Sequence, residues 1–201
     1  MEVKIKVLGP IATNMYELSD GDVSYIIDPS GTPQEMKKFL KESGKNIAGV
    51  LFTHGHVDHV LGAMEIANYF PETKFYLHPE DEKMYRSCDK QSAAFGLPFF
   101  GIPDVEFYDK DMIFNVFQVI HTPGHSPGSV SLYVKSLNIV FSGDTLFNQG
   151  VGRTDLWGGN WKSLENSIKH KLFTLPPYTT VLSGHGEPTL IGEEKINNPF
   201  L

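Results

Sequence analysis

Four side chains that can bind a metal ion lie within six consecutive residues of the chain. Residues 54–59 read His-Gly-His-Val-Asp-His, so His54, His56, Asp58 and His59 offer three imidazoles and one carboxylate. Zinc and other divalent transition metals prefer these donor groups in proteins. Without a metal, such a density of polar groups would carry a large desolvation cost. The hexapeptide therefore predicts a metal-binding segment.

Three later segments repeat one arrangement, in which an apolar strand ends, a glycine follows and a residue that can bind metal comes next. The hexapeptide has the same setting, since residues 49–53 read as a buried strand and residues 60–67 begin a helical pattern. Glycine permits the tight or left-handed turns that these positions require. The residues that the three later segments add are His125, Asp144 and His185.

If aligned strands bring all four segments to a common rim, the chain offers seven metal ligands. Seven suits two ions that share one carboxylate, because a single ion needs only about four ligands. The remaining histidines are assigned differently: His121 is read as structural, as a lone histidine at a strand end usually is, and His78 and His170 are expected to be solvated. Asp28 precedes a proline, so turn chemistry is favoured over the alternative that its carboxylate orients a ligand imidazole.

Between these segments the pattern alternates strands with helices. Thr32-Pro33-Gln34-Glu35 predicts a capping box, and Gly44 ends the helix that carries Met36, Phe39 and Leu40. Asn160 is a predicted cap of a later helix, whose apolar face is expected to be core and consists of Trp161, Leu164, Ile168 and Leu172. Such interleaving suits two sheets packed face to face with helices outside.

Length and composition predict a single domain over residues 1–201. A formal net charge of −7 argues against a nucleic-acid partner, because that binding requires clustered Lys and Arg. No stretch reads as a signal peptide or a membrane span, so we expect a cytoplasmic protein with no membrane association. The one cysteine, Cys88, lies in a polar helical segment away from the ligand segments and is interpreted as incidental, with an exposed thiol as the alternative.

The ligand pattern resembles that of the metallo-β-lactamase superfamily, whose signature H-x-H-x-D-H is followed by a histidine, an aspartate and a last histidine. Within it, residues 121–129, 142–147, 152–155 and 184–189 are similar to segments of the glyoxalase II (hydroxyacylglutathione hydrolase) group. The resemblance extends over essentially the whole chain. Full-length members of that group continue into a C-terminal helical domain, so the likeness is to a short form lacking it.

The resemblance implies an α/β (α+β) fold, a four-layer αββα sandwich with the metal site at one edge. It also implies that Asp144 bridges two ions, the first held by His54, His56 and His125 and the second by Asp58, His59 and His185. Two divalent ions are expected, zinc first, with iron or manganese as alternatives. The lactamases of the superfamily place a cysteine where Asp144 stands, which disfavours a β-lactam substrate.

Two metals beside one water predict hydrolysis. Coordination lowers the pKa of water from about 15.7 toward roughly 7, so a metal-bridging hydroxide can attack a carbonyl at neutral pH, with Asp58 orienting it. The predicted substrate is a small-molecule thioester, S-lactoylglutathione or a related compound, because a thiol of pKa about 8.5 leaves without a general acid.

Substrate recognition is less well specified by the sequence. Arg153 is a candidate for pairing with a substrate carboxylate, with a structural salt bridge as the alternative. The aromatic stretch 94–103 is interpreted either as a loop at the pocket mouth or as a buried loop.

Two rival functions remain open. A mononuclear iron persulfide dioxygenase would use His54, His125 and Asp144 as a two-histidine, one-carboxylate triad. A catalytically silent metal-binding domain is the second alternative. The oligomeric state cannot be predicted from the sequence.

Overall fold

The computed structural model describes residues 1–108, 113–114 and 116–201, which divide into two compact units. The first unit comprises Met1–Leu77 and Glu82–Phe107, and the second comprises His78–Asp81 and Tyr108–Leu201. Each contains a six-stranded sheet and an apolar core of its own. The single-domain organisation over residues 1–201 stays a prediction.

The sheet of the first unit has its strands in chain order. They are Glu2–Leu8 (β1), Thr13–Asp20 (β2), Val23–Ile27 (β3), Asn46–Leu51 (β4), Phe75–Leu77 (β5) and Glu106–Phe107 (β6). β1 to β3 are antiparallel, whereas β3 to β6 pair in parallel. Parallel neighbours need crossover connections. Helices lie in these connections and are Pro33–Ser43 (α1), Val57–Val60 (α2), Ala63–Tyr69 (α3), Glu82–Tyr85 (α4) and Cys88–Phe95 (α5), with a 3₁₀ turn at Pro79–Asp81 before α4.

Helix α1 confirms the predicted capping box. The Thr32 hydroxyl accepts from the Glu35 amide at 3.5 Å, and the Glu35 carboxylate accepts from the Thr32 amide at 2.8 Å. Gly44 ends the helix in the left-handed conformation, with φ 62°. The apolar face packs into the core of the unit through Met36, Phe39 and Leu40.

The sheet of the second unit has the order β14-β13-β10-β9-β8-β7. Its strands are Ile113–Phe114 (β7), Phe117–His121 (β8), Val130–Val134 (β9), Ile139–Gly143 (β10), Thr180–Ser183 (β13) and Thr189–Leu190 (β14). β10 and β13 are parallel, and the other pairs are antiparallel. The remaining elements are a hairpin of Leu146–Phe147 (β11) and Gly150–Val151 (β12), the helices Trp161–His170 (α6) and Ile191–Asn197 (α7), and 3₁₀ turns at Lys135–Leu137 and Leu172–Thr174.

Helix α6 begins as predicted, since the Asn160 side chain accepts from the Ser163 amide at 2.9 Å. Leu164 and Ile168 are fully buried against β10 and β13 residues of the core. The assignment of Trp161 to the core is wrong, because its side chain is 42% exposed. Trp161 is the first residue of the helix, so it stands at the end of the apolar face rather than within it.

The loop that follows β8 packs closely on the start of α6. Gly124 has φ 143°, and a Cβ atom there would lie 2.2 Å from the Leu164 amide nitrogen. Asn160 donates its amide to the Gly124 carbonyl at 2.8 Å, and the Ser167 hydroxyl donates to the Pro123 carbonyl at 2.8 Å. Only glycine allows this approach of loop to helix.

Within the described residues, none of the helices combines the length and the apolar content that crossing a lipid bilayer requires.

Removal of the Thr32 cap should destabilise the protein. We expect Thr32→Ala to lower the free energy of unfolding by about 1 kcal/mol, because the Glu35 amide loses its acceptor. Thr32→Ser keeps the hydroxyl and serves as the control. Urea unfolding checks both variants, and equal losses for Ala and Ser would show that the hydroxyl contributes nothing.

Candidate metal centre

The hexapeptide occupies the turn between β4 and α2, as its flanking sequence predicts. β4 ends at Leu51 and α2 begins at Val57, which places His54 and His56 in the turn and Asp58 and His59 in the first turn of the helix. His54 and His59 are fully buried, and Asp58 is half-buried. All four predicted ligands of the first unit are thus in one place.

Their side chains form two pairs. His54 Nε2 lies 3.0 Å from His56 Nδ1, and His59 Nε2 lies 3.3 Å from Asp58 Oδ2. Because zinc binds nitrogen and oxygen at about 2.0–2.1 Å, two ligand atoms of a tetrahedral site stand roughly 3.3 Å apart. Both pairs therefore have the spacing of atoms that share an ion. The pairing follows the division of ligands that the family resemblance implies.

Asp28 holds the His59 ring. Its Oδ2 lies 2.9 Å from His59 Nδ1 and accepts from the Thr53 hydroxyl at 2.6 Å, while its Oδ1 accepts from the Thr53 amide at 2.8 Å. An ionised carboxylate can only accept, so Nδ1 of His59 carries the proton and Nε2 presents its lone pair. Asp28 is buried and has φ 50°, a turn conformation. Asp28 therefore forms a turn and also contacts the imidazole of His59, a predicted ligand.

A second polar contact supports Asp58. The Thr13 hydroxyl, at the start of β2, donates to Asp58 Oδ2 at 3.1 Å. Sequence reasoning missed Thr13, because a threonine at the beginning of a strand has no feature that distinguishes it from any other.

The second unit brings its three predicted ligands together around Asp144. The Oδ2 atom of Asp144 lies 3.6 Å from His125 Nε2 and 3.7 Å from His185 Nε2. Similar distances from one carboxylate oxygen to two imidazole nitrogens suit a bridging ligand. The Phe147 ring meets the His185 ring edge to face at 6.4 Å.

His125 is oriented by a backbone carbonyl. Its Nδ1 donates to the Arg153 carbonyl at 2.8 Å, so Nε2 presents the lone pair toward Asp144. Gly152 makes this approach possible, because a Cβ atom there would lie 1.8 Å from the Asp144 carbonyl oxygen and 3.2 Å from the His125 Cβ. Residues 152–153 thus position both His125 and Asp144.

The Arg153 side chain points elsewhere. Its Nε and Nη2 atoms each donate to the Asp155 carboxylate at 2.7 Å, and both side chains are exposed. These bonds from Arg153 lower the pKa of Asp155 to about 2. The structure therefore contains the salt bridge that was the alternative for Arg153, here with Asp155. A role of Arg153 in substrate binding stays a prediction.

His121 and His78 form a stacked pair in the second unit. Their ring centroids lie 4.1 Å apart with an interplanar angle of 13°, and His121 Nε2 donates to the Pro127 carbonyl at 2.8 Å. Burial, followed by His121 and Lys171, lowers the pKa of His78 to about 4. The expectation of a solvated His78 is wrong, because the residue follows buried β5 directly, whereas His170 is exposed as expected.

These two rings and Glu80 have donor atoms within 4.8 Å of one another. However, nearly parallel stacked rings direct their lone pairs in separate planes, which disfavours a common ion. The Lys171 ammonium, bonded to the His121 carbonyl at 2.6 Å, adds a positive charge. We assign no metal to this group.

Cys88 is neither remote nor exposed. Its side chain is fully buried, and Sγ lies 3.7 Å from the carbonyl oxygen of Gly55, between two of the predicted ligands. Burial, with a further contribution from Asp58, raises the pKa of the thiol to about 12. The interpretation of Cys88 as a residue away from the ligand segments is therefore wrong. Asp89 and Lys90, which follow it, lie on the exposed face of α5, and their polarity gave no sign that Cys88 lies on the buried face.

The stretch 94–103 is interpreted from the sequence either as a buried loop or as a loop at a pocket mouth, and its residues divide into a packed group and an exposed group. Leu97 and Ile102 pack on the core of the first unit, and the Pro103 carbonyl accepts from the Tyr85 hydroxyl at 2.8 Å. Phe95, Phe99 and Phe100 are exposed. The buried-loop reading holds for the first group of residues, and a position at a pocket mouth stays a prediction.

The charge of Asp28 should matter for metal affinity. Asp28→Asn preserves the shape of the side chain but weakens its bond to His59, so we expect affinity for zinc to fall by about tenfold or more. Chelator competition measures it. Asp22→Asn, at an exposed position, is the control, and equal affinity of the two variants would refute the orienting role.

Comparison with known proteins supports the pattern read from the sequence. The family model for the metallo-beta-lactamase superfamily matches residues 8–185. The chain is 39% identical over 200 residues to the probable metallo-hydrolase YqgX of Bacillus subtilis, covering 96% of this chain and 94% of the relative. It is 36% identical over 182 residues to the hydroxyacylglutathione hydrolase GloC of Haemophilus influenzae, covering 88% and 86%.

Solved structures agree with the fold. TTHA1623 in a di-iron-bound form has a TM-score of 0.93 at 38% identity, covering 98% of this chain and all (100%) of that one. The BLEG-1 B3 metallo-beta-lactamase has a TM-score of 0.86 at 38% identity, covering 100% and 99%. ETHE1 from Myxococcus xanthus has a TM-score of 0.78 at 26% identity, covering 99% and 84%.

The mixed α/β fold and the family inferred from the ligand motifs are therefore both confirmed. On the match over residues 8–185, this chain belongs to the metallo-β-lactamase superfamily.

Proposed function

We propose that the protein is a metal-dependent hydrolase that cleaves acyl thioesters, as enzymes of the glyoxalase II type do. The observation that carries the proposal is the position of Asp144, with one carboxylate oxygen 3.6 and 3.7 Å from the Nε2 atoms of His125 and His185. A carboxylate oxygen at similar distances from two imidazoles suits a binuclear centre. The 36% identical relative named hydroxyacylglutathione hydrolase supports the substrate class.

The proposed cofactor is a pair of divalent metal ions, with zinc, iron and manganese as the candidates. The donors fit such ions in chemistry, because they are imidazoles and carboxylates alone. They fit in orientation as well, because Nδ1 of His59 and Nδ1 of His125 each donate to a protein acceptor and leave Nε2 for the ion. The di-iron form of TTHA1623 supports two ions rather than one. When bound, these ions would lower the pKa of a water molecule and polarise the substrate carbonyl.

The side chains of the chain itself would handle the proton and the geometry. We assign two roles to Asp58: its carboxylate would accept a hydrogen bond from the attacking water and would then take up the proton. The Thr13 hydroxyl fixes this carboxylate through its bond to Oδ2. Asp28 fixes the neighbouring imidazole of His59. Preorganised groups of this kind cost no reorganisation as the reaction proceeds.

The substrate class follows from the leaving group. Attack of water forms a carbon–oxygen bond and breaks the carbon–sulfur bond, giving an acid and a thiol. A thiol of pKa about 8.5 departs as thiolate and needs no proton donor, whereas an amine leaving group does. The predicted ligands include no evident general acid, so they favour a thioester over an amide. S-lactoylglutathione is the first candidate, and the charge of −7 continues to argue against a nucleic-acid substrate.

Two other activities have specific support among the relatives. ETHE1 of Myxococcus xanthus is 26% identical, which keeps the persulfide dioxygenase with one iron on His54, His125 and Asp144 as the alternative. BLEG-1, a B3 metallo-beta-lactamase, is 38% identical, although the chain has Asp144 in place of the cysteine expected above. A β-lactam therefore belongs among the test substrates.

The purified protein should bind two metal ions per chain and release thiol from S-lactoylglutathione without oxygen. Elemental analysis and a thiol-reactive chromophore measure the two quantities under anaerobic conditions. We expect Asp144→Ala to lose metal and at least about a hundredfold in turnover, because both ions lose a ligand, whereas Asp22→Asn should behave as wild type.

Other results would contradict the proposal in recognisable ways. One iron per chain with oxygen consumption on a persulfide would assign the dioxygenase. Cleavage of a chromogenic cephalosporin in place of the thioester would assign the lactamase. Bound metal with no turnover of any of these substrates would assign a silent metal-binding domain.

Arg153 should affect an anionic substrate more than a neutral one. Arg153→Ala is expected to raise the KM for an anionic thioester severalfold while leaving kcat nearly unchanged. Asp155→Ala breaks the same salt bridge but keeps the guanidinium, so it should not raise that KM. Identical kinetics for the two variants would limit Arg153 to a structural role.

A further inference from the structure

The side chain of Gln91 contacts the metal-binding loop from outside the ligand motif. Its Oε1 accepts from the Val57 amide at 3.0 Å, and its Nε2 donates to the Gly55 carbonyl at 3.2 Å and to the Met84 carbonyl at 2.8 Å. Gln91 lies in α5 and is 36 residues from Gly55 in sequence. All of these residues belong to the first unit.

The contacts with Val57 and Gly55 lie on either side of His56. The Gly55 carbonyl belongs to the peptide group before His56, and the Val57 amide belongs to the peptide group after it. Fixing both peptide groups restricts the backbone dihedrals of His56 and therefore the direction of its imidazole. His56 Nδ1 lies 3.0 Å from His54 Nε2, so a rotation of its backbone would separate that pair.

The start of helix α2 receives a hydrogen bond from a residue of another helix. His56 is the N-cap of α2, a position that serine, threonine, aspartate or asparagine normally occupies to satisfy the first amides of a helix. The His56 side chain makes no capping hydrogen bond in the described structure. Gln91 supplies the acceptor for the first helical amide, that of Val57, whereas an N-cap side chain would bond to the second or third amide. Gln91 thus holds the start of α2 while the His56 imidazole lies beside His54.

Cys88 reinforces the same contact. Its Sγ lies 3.7 Å from the Gly55 carbonyl and 3.8 Å from Gln91 Nε2, one turn earlier on the same face of α5. The Gly55 carbonyl oxygen thus receives two donors from this helix. Two donors on one carbonyl make α5 a support for the loop as well as part of the core.

We propose that Gln91 is a positioning residue that sets the metal affinity of the centre through His56. The inference rests on the metal binding of the proposed function and not on its substrate. Substitution of residues that orient metal ligands typically costs about 10- to 100-fold in metal affinity. We expect a loss in this range when Gln91 is replaced by an apolar side chain of similar length.

The test compares Gln91→Met with Ser92→Ala in the full-length protein. Ser92 lies on the same helix, is buried and donates to the Pro98 carbonyl at 3.1 Å, so its loss loosens α5 without touching the loop. Three quantities are measured: the thermal midpoint of the metal-free protein, the affinity for zinc by chelator competition, and the visible absorption of the cobalt-loaded protein.

We expect both variants to lower the thermal midpoint, but only Gln91→Met to weaken zinc binding by about tenfold or more and to change the cobalt spectrum. Gln91→Glu keeps an oxygen for the Val57 amide and loses the donors to Gly55, so its affinity should lie between wild type and Gln91→Met. This variant also serves if Gln91→Met does not fold.

Zinc affinity and cobalt spectra equal to wild type in Gln91→Met, or in Gln91→Glu if the former does not fold, would overturn the proposal. An equal loss of affinity in Ser92→Ala would also overturn it, since the effect would then be general loosening. If wild type binds zinc but cleaves no thioester, the proposed function fails while this inference stands. If wild type binds no metal, both fail.

Discussion

The metal binding predicted for these residues depends on the direction in which each imidazole presents its lone pair. A neutral histidine has one donor and one acceptor nitrogen, and only the acceptor can bind a metal. In His59 the carboxylate of Asp28 fixes the choice, and in His125 the carbonyl of Arg153 does so. Both use Nδ1, so both leave Nε2 for coordination. Without these partners, the predicted ligands His59 and His125 would have no defined coordinating atom.

The backbone around the ligands is shaped to permit these contacts. Asp28 reaches His59 from a turn with φ 50°, which an aspartate tolerates better than most residues. Gly152 lets the chain approach the Asp144 carbonyl, and Gly124 lets the loop that carries His125 pack on α6. At these points the absence of a side chain allows the loops to come close enough to support the ligands. The backbone conformation at these positions is therefore needed for the contacts that orient the imidazoles.

The family and the strands that precede the predicted ligands could be read from the sequence, because each rests on residue types at short spacing. The capping box at Thr32 and the cap at Asn160 were predictable for the same reason. Sequence reasoning could not find Thr13 or Gln91, since their contacts join residues 45 and 34 positions apart and depend on the tertiary fold. It also could not find the role of the Arg153 carbonyl, because every residue has a carbonyl.

Composition misled at Cys88 and Trp161 for opposite reasons. Cys88 is buried but is followed directly by the exposed Asp89 and Lys90, so its neighbours resembled those of an exposed residue. Trp161 has the spacing of a core residue but stands at the helix end. Helical spacing identifies a face, and it does not show how far the neighbouring sheet extends beneath that face.

The bond between His125 and the Arg153 carbonyl has a consequence for substitutions at position 153. The support of the histidine comes from the main chain, so the side chain at position 153 is free to vary without disturbing it, provided that Gly152 is retained. Arg153 thus supports His125 through its backbone and binds Asp155 through its exposed guanidinium. A substitution at position 153 would therefore change the exposed charge while leaving the support of His125 in place.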